Sequence, residues 1–213
     1  MSNLNLEWLA RNLPADATIL DIGCANMSDT VNMKRYIPNG QFHAFECAES
    51  WKAWNESEAI KHSINYYHMA VSDTIGELTF YPSGSLDGQE WPWSGSVCEP
   101  GPNLLNERWT WNQGYTVPST TLEAFCIEHN VSPDFTHIDV QGAEYKVFSK
   151  LGVIRPLLIW AEVSEFHMYK TGTTLEGFQG LMQSLGYKEI FRDSCDALFV
   201  LQSSGITEYE QKS

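Results

Sequence analysis

Two acids that close short apolar runs carry the first chemical signal in this chain. Thr18-Ile-Leu-Asp-Ile-Gly23 ends on an acid and a glycine, and Gln41-Phe-His-Ala-Phe-Glu46 ends on a second acid 25 residues after Asp21. A glycine-bearing turn at a strand end lets the backbone approach a ligand. A carboxylate one strand–helix–strand unit later accepts hydrogen bonds from ribose hydroxyls. Asp21, Gly23 and Glu46 therefore predict a site for a nucleoside-bearing cofactor. Farther along, Asp139, Glu144 and Glu162 are carboxylates of the kind that take a proton from a hydroxyl. Asp139, at a strand end, is the best-placed base; Glu162 at the next strand end is second and His167 third. The three acids also have the oxygen chemistry that Mg²⁺ or Ca²⁺ prefers, but no loop spacing demands a metal and none is expected.

Alternating strands and helices must position these groups. Residues 4–12 predict a short amphipathic helix. Buried parallel strands are expected at 17–22, 41–46 and 64–71, with helices at about 28–36 and 48–61 between them. Glu77–Tyr81 alternates like a half-exposed strand. Residues 82–115 hold four of the eight tryptophans and four of the nine prolines with little periodicity. That stretch reads as a functional loop or lid, in which Trp91, Trp93, Trp109 and Trp111 either pack the loop down or wall an acceptor site. A helix at about 120–130, capped by Ser119 or Thr120, precedes a strand at 134–139, a helix from about 143 and a strand at 155–163. A helix at 173–185 stops at Gly186, and a strand pair at 187–192 and 197–202 ends the fold. The tail is expected to fray. The whole, residues 1–213, reads as one α/β domain whose ligands sit beyond the carboxyl ends of the strands.

Composition narrows the partners. The formal net charge is −14, from 27 acids against 13 bases, which opposes broad binding to nucleic acid or anionic membranes. No apolar run approaches the ~20 residues of a membrane helix, and the N-terminus lacks a secretory pattern. Five cysteines, an odd number with no CxxC pair, suit a reducing compartment, and a cytoplasmic location is expected.

Asp21-Ile-Gly-Cys-Ala-Asn, Phe45-Glu46, Ala70-Val-Ser-Asp73 and Ile138-Asp-Val-Gln-Gly-Ala-Glu144, in that order, resemble the FkbM family of methyltransferases over roughly residues 17–202. The resemblance implies a class I methyltransferase fold, a Rossmann-like, mostly parallel seven-stranded sheet with an antiparallel last strand, and S-adenosylmethionine as cofactor. It places Asp21, Gly23, Cys24 and Ala25 along the methionine and ribose, and Glu46 on the ribose hydroxyls. Ala70, Val71 and Ser72 fall near the adenine, the Ser94-Gly95-Ser96 segment over the cofactor, and Asp139 and Glu144 beside the reacting end. Three positions depart from the family pattern: Met27 stands where a glycine is usual, Cys47 where a proline is, and Gln141 where an acid is.

The expected activity is O-methylation of a hydroxyl on a small molecule or glycan. Two rivals stay open: a binding protein in which Met27 fills the pocket, and a nicotinamide-dependent oxidoreductase. Against the latter, no glycine follows Gly23 until Gly40, so the first turn lacks GxGxxG. Bland readings stand beside the functional ones. Asp21 and Gly23 suit a tight turn, Glu144 a helix start, Glu162 an ion pair with Arg155 or Lys170, and His137 a satisfied core histidine. Cys24 and Cys47 read as small packing residues that meet the cofactor through backbone.

Overall fold

The computed structural model describes residues 4–101, 108–163 and 169–211. The chain runs α1 (Leu6–Asn12), β1 (Thr18–Ile22), α2 (Ser28–Tyr36), β2 (Gln41–Phe45), α3 (Glu49–His62), β3 (Asn65–Tyr67), β4 (Ala70–Val71) and β5 (Gly76–Phe80). It continues through β6 (Ser83–Leu86), β7 (Gln89–Glu90), β8 (Trp109–Trp111), β9 (Tyr115–Thr120), α4 (Leu122–Glu128), β10 (Phe135–Ile138) and α5 (Glu144–Ser149). The last elements are β11 (Leu158–Glu162), α6 (Leu175–Ser184), β12 (Tyr187–Arg192) and β13 (Asp196–Leu201).

β1, β2, β10 and β11 are apolar on both faces because both are covered. On one face Ile19, Phe42, Phe135, Leu158 and Trp160 pack against residues of α1 and α2. On the other, Leu20, Ile22, Ile138 and Ile159 meet Phe125 of α4, Val147 and Phe148 of α5, and Phe178 of α6. The seven-stranded sheet has the order β12-β13-β11-β10-β1-β2-β3. Its pairs are parallel except those that β13 makes with β11 and β12. The strand order reverses between β1 and β10, so the turns after Ile22 and Ile138 open side by side at one sheet edge.

Several expectations need correction. The run 64–71 is not one strand: β3 pairs with β2, whereas β4 leaves the main sheet and pairs with β9 in a β4-β9-β5 sheet. Residues 82–115 are not structureless, because β6, β7 and β8 form a third sheet within them. Thr121, rather than Thr120 or Ser119, caps α4 through its hydroxyl, which accepts from Ala124 N at 3.2 Å. The tail does not fray at Tyr209. Its ring meets Trp8, Phe191 and Trp160, and its hydroxyl accepts from Asn5 N at 2.6 Å.

Candidate active site

Gly23 shows why the first turn needs a glycine. Its φ is +84°, and a Cβ built there would stand 1.9 Å from the Asp139 carbonyl oxygen. The backbones of the β1 and β10 turns thus touch, and Gly23 N and Cys24 N both donate to Phe45 O at 2.9 Å. That knot brings Glu46 beside Asp139. Glu46 accepts from Ala25 N at 3.0 Å through Oε2 and from Ala48 N at 2.7 Å through Oε1. Burial pushes its carboxyl up to about 7, against the pull of those amides and with help from the Asp139 charge. Each oxygen keeps a lone pair for a further donor.

The knot floors two continuous clefts. The inner one, with about 50 Å³ of free space, is lined by Gly23, Glu46, Cys47, Ala70, Val71 and Ser96, with the apolar Met69, Phe80 and Val97 beside them. The outer one, with about 480 Å³ of free space, shares Gly23, Glu46, Phe80 and Asp139 with it. Its walls are Trp51, Trp91, Trp93 and Trp109, and its far end carries Gln141, Glu162 and Cys195. Trp51 and Trp93 lie 4.9 Å apart between ring centroids, and Trp91 and Trp109 stand edge to face at 6.2 Å. No lysine or arginine lines either cleft among the described residues.

At that far end two carboxylates share one amide. Gln141 Nε2 donates to Asp139 Oδ1 at 2.6 Å and to Glu162 Oε2 at 2.8 Å. Burial, then the charge of Asp139 and a hydrogen bond with it, push the Glu162 carboxyl far above the usual carboxylate range.

Most of the other residues singled out in the sequence lie behind this surface. Ala25 lines the outer cleft, but Cys24 is buried and accepts a long contact from Asn55. Asp21 is fully buried beneath the turn, where Thr30 donates to it and His137 Nδ1 lies 2.7 Å away. Burial lowers the affinity of His137 for a proton, yet the Asp21 charge and hydrogen bond outweigh it and the shift is upward. Ser72 is buried beside Thr120. Glu144 turns back to accept from Val140 N and Gly142 N, with burial holding it up at about 7. His167 lies outside the described residues. Among the described residues no three acids, histidines or cysteines group as for a metal.

Met27 settles its own question. Its φ is +62°, the left-handed conformation that favours glycine, and its side chain is fully buried in the core between the sheet and α2. It lines neither cleft. Sequence reasoning missed Gln141 as a bridge, and it missed Trp51, which faces the tryptophan loop from α3. It also missed Tyr169, whose hydroxyl donates to Ser94 O at 3.0 Å and lies 3.3 Å from Gln141 Oε1.

An open sheet in this order, with one antiparallel strand and its cleft at the β1–β10 reversal, is the class I methyltransferase fold. The model of the Methyltransferase FkbM domain matches residues 21–189, and the chain belongs to that family of methyltransferases. It is 31% identical over 175 residues to the 2-O-methyltransferase NoeI of Sinorhizobium fredii, covering 79% of this chain and 72% of that protein. Two solved structures share the fold at low identity. The FkbM methyltransferase of Methylobacillus flagellatus superposes with a TM-score of 0.54 at 10% identity over 87% of this chain, which spans 44% of that longer one. Aeropyrum pernix fibrillarin with bound S-adenosyl-L-methionine gives 0.51 at 14% identity, over 88% of this chain and 69% of that one.

Proposed function

We propose that this protein transfers a methyl group from S-adenosylmethionine to a hydroxyl of a small molecule or glycan. One observation carries the reading. Two carboxylates, Glu46 and Asp139, line both clefts beside the close Gly23 turn, where the inner and outer clefts join. The residues fit the cofactor. Glu46 keeps lone pairs for the ribose hydroxyls, and Ala70, Val71, Met69 and Phe80 form an apolar slot for a base. The carboxylates suit a cationic sulfonium. A dinucleotide's pyrophosphate would instead meet acids and, among the described residues, no lining lysine or arginine, which disfavours the nicotinamide reading.

When bound, S-adenosylmethionine supplies an electrophilic methyl group. The chain's own residues do the rest, mostly by positioning. The tryptophan walls hold the acceptor and exclude water. Asp139 takes the hydroxyl proton as the oxygen attacks. Asp21 acts from beneath: its pair with His137 stiffens the turn that presents Gly23, Cys24 and Ala25. Glu144 does likewise for the 140–142 turn. Cys47 and Ser96 contribute small walls, and Ser72 supports Val71 by its backbone bond to Thr120.

The acidic surface and the acid-lined clefts disfavour nucleic acid as acceptor. Among the described residues no helix is long and apolar enough to cross a membrane. The five cysteines are all unbridged, which supports a cytoplasmic location. Calorimetric titration with S-adenosylhomocysteine, with NAD as control, tests the reading. Micromolar, ligand-specific binding is expected, weakened on the order of 10–100-fold by Glu46→Ala through loss of charged hydrogen bonds. Equal binding by Glu46→Ala refutes the ribose assignment, and no binding at millimolar ligand refutes the cofactor.

A further inference from the structure

The turn after β1 holds two residues in left-handed backbone, Ala25 at φ +44° and Met27 at φ +62°, and neither is glycine. Backbone of this kind persists where the surroundings demand it. Here the demand comes from α3, whose neighbouring residues Trp54 and Asn55 grip consecutive carbonyls of the turn. Trp54 Nε1 donates to Asn26 O at 3.0 Å, and Asn55 Nδ2 donates to Ala25 O at 2.7 Å. Asn55 is fully buried in the middle of a 14-residue helix. Asparagine is a poor helix former there, and its Oδ1 has no hydrogen-bond partner among the described residues. Leucine would fill the same space at less cost to the helix and with no orphaned oxygen. Helix stability therefore does not account for an asparagine at this position.

We propose that Asn55 is a positioning residue that holds the Ala25 backbone so that its N–H fixes Glu46 for the cofactor ribose. The inference rests on the reading of Glu46 as the ribose acceptor. Ala25 is gripped at both ends, its carbonyl by the Asn55 amide and its N–H by Glu46 Oε2 at 3.0 Å. The other oxygen of Glu46 accepts from Ala48 N, and Ala48 is the residue that caps α3. One continuous segment, from Glu46 through α3, thus supplies both the carboxylate and the amide, and the turn is held between them. Without the amide, Ala25 relaxes towards ordinary backbone and its N–H swings away from Glu46. The carboxylate then keeps one of its two backbone bonds and turns about it, losing the fixed direction in which its lone pairs meet the ribose hydroxyls.

Two variants of the full chain test this. Asn55→Leu keeps the bulk of the side chain and removes the donor, and Asn55→Ala removes it without crowding the core. Urea unfolding first establishes that each is folded, and calorimetric titration with S-adenosylhomocysteine follows. Affinity is expected to fall about tenfold in both. In a Glu46→Ala background the same changes should alter it by less than about twofold, because the amide acts through that carboxylate. Wild-type affinity in a folded variant overturns the proposal. So does a loss that persists undiminished in Glu46→Ala, which would mark general support of the turn. The grip on Ala25 is also read without ligand, by amide hydrogen exchange in chains carrying nitrogen-15 alanine, where the Ala25 signal is the one lost in Ala25→Gly. Its exchange should be about tenfold faster in both variants. An unchanged rate overturns the grip whatever the ligand does, whereas failure of the ribose reading shows separately, as wild-type affinity in Glu46→Ala alone.

Discussion

Replacing Met27 by glycine sets two effects of opposite sign against each other. Restoring glycine at φ +62° relieves about 1–2 kcal/mol of left-handed strain. Deleting a fully buried methionine side chain costs about 2–5 kcal/mol in lost burial and cavity formation. Burial wins, and Met27→Gly is expected to destabilise the chain by about 2 kcal/mol in urea unfolding followed by tryptophan fluorescence. Because Met27 lines neither cleft, affinity for S-adenosylhomocysteine should stay within about twofold, or roughly 0.4 kcal/mol. A stabilised variant would show that strain dominates. A tenfold gain in affinity would show that the side chain intrudes on the pocket after all.

Glu46 and Glu144 are both held at about 7, above their unfolded value. The stability they contribute is complete at acid pH and is lost as pH rises from about 4.5 through 7. Urea midpoints of the unliganded protein should fall across that window, and a rise would refute the assignment. Affinity for S-adenosylhomocysteine should rise over the same window, since only ionised Glu46 is a full acceptor. Cys195 is the exposed member of five free cysteines and lines the outer cleft. One thiol should react rapidly with a disulfide reagent, and Cys195→Ser should abolish that phase. Tyr209→Ala should cost about 2 kcal/mol, because the ring packs on Trp8, Trp160 and Phe191; thermal unfolding unaltered by the change would return the tail to a frayed segment.

The parts of the fold legible in the sequence are those with local cause. Buried parallel strands announce themselves as apolar runs, and the turns that end them mark the cleft edge. Asp21-Ile-Gly23, Phe45-Glu46 and Ile138–Glu144 could be placed for that reason. The β3–β4 break was not legible, since Asn65–Val71 contains no glycine or proline to mark it and only the distant β9 draws Ala70 and Val71 away. Likewise β6, β7 and β8 are short and rich in serine, glycine and tryptophan, so their pairing depends on partners far along the chain. Period-two alternation put His137 and Asp139 on one face. It could not say that Asp21 lies opposite His137 in the neighbouring strand and turns its carboxylate there, under the cleft surface. Tyr209 was illegible for a similar reason, because its pocket is assembled from Trp8, Trp160 and Phe191.

The pairing of β1 with β10 bears on how the protein comes to fold. Asp21 and His137 face each other across adjoining strands yet stand 116 residues apart in the chain. The half of the cleft that carries Gly23 and Glu46 can assemble from neighbouring segments, because β2 joins β1 after a single helix. The half that carries Asp139 and Glu162 must wait for the intervening excursion through two further sheets. Closing so long a loop makes for high contact order and slow folding. During synthesis β1 leaves the ribosome with one edge unpaired, exposed to wrong partners until residues 135–138 emerge. The residues proposed to hold the cofactor are thus made long before those proposed to use it.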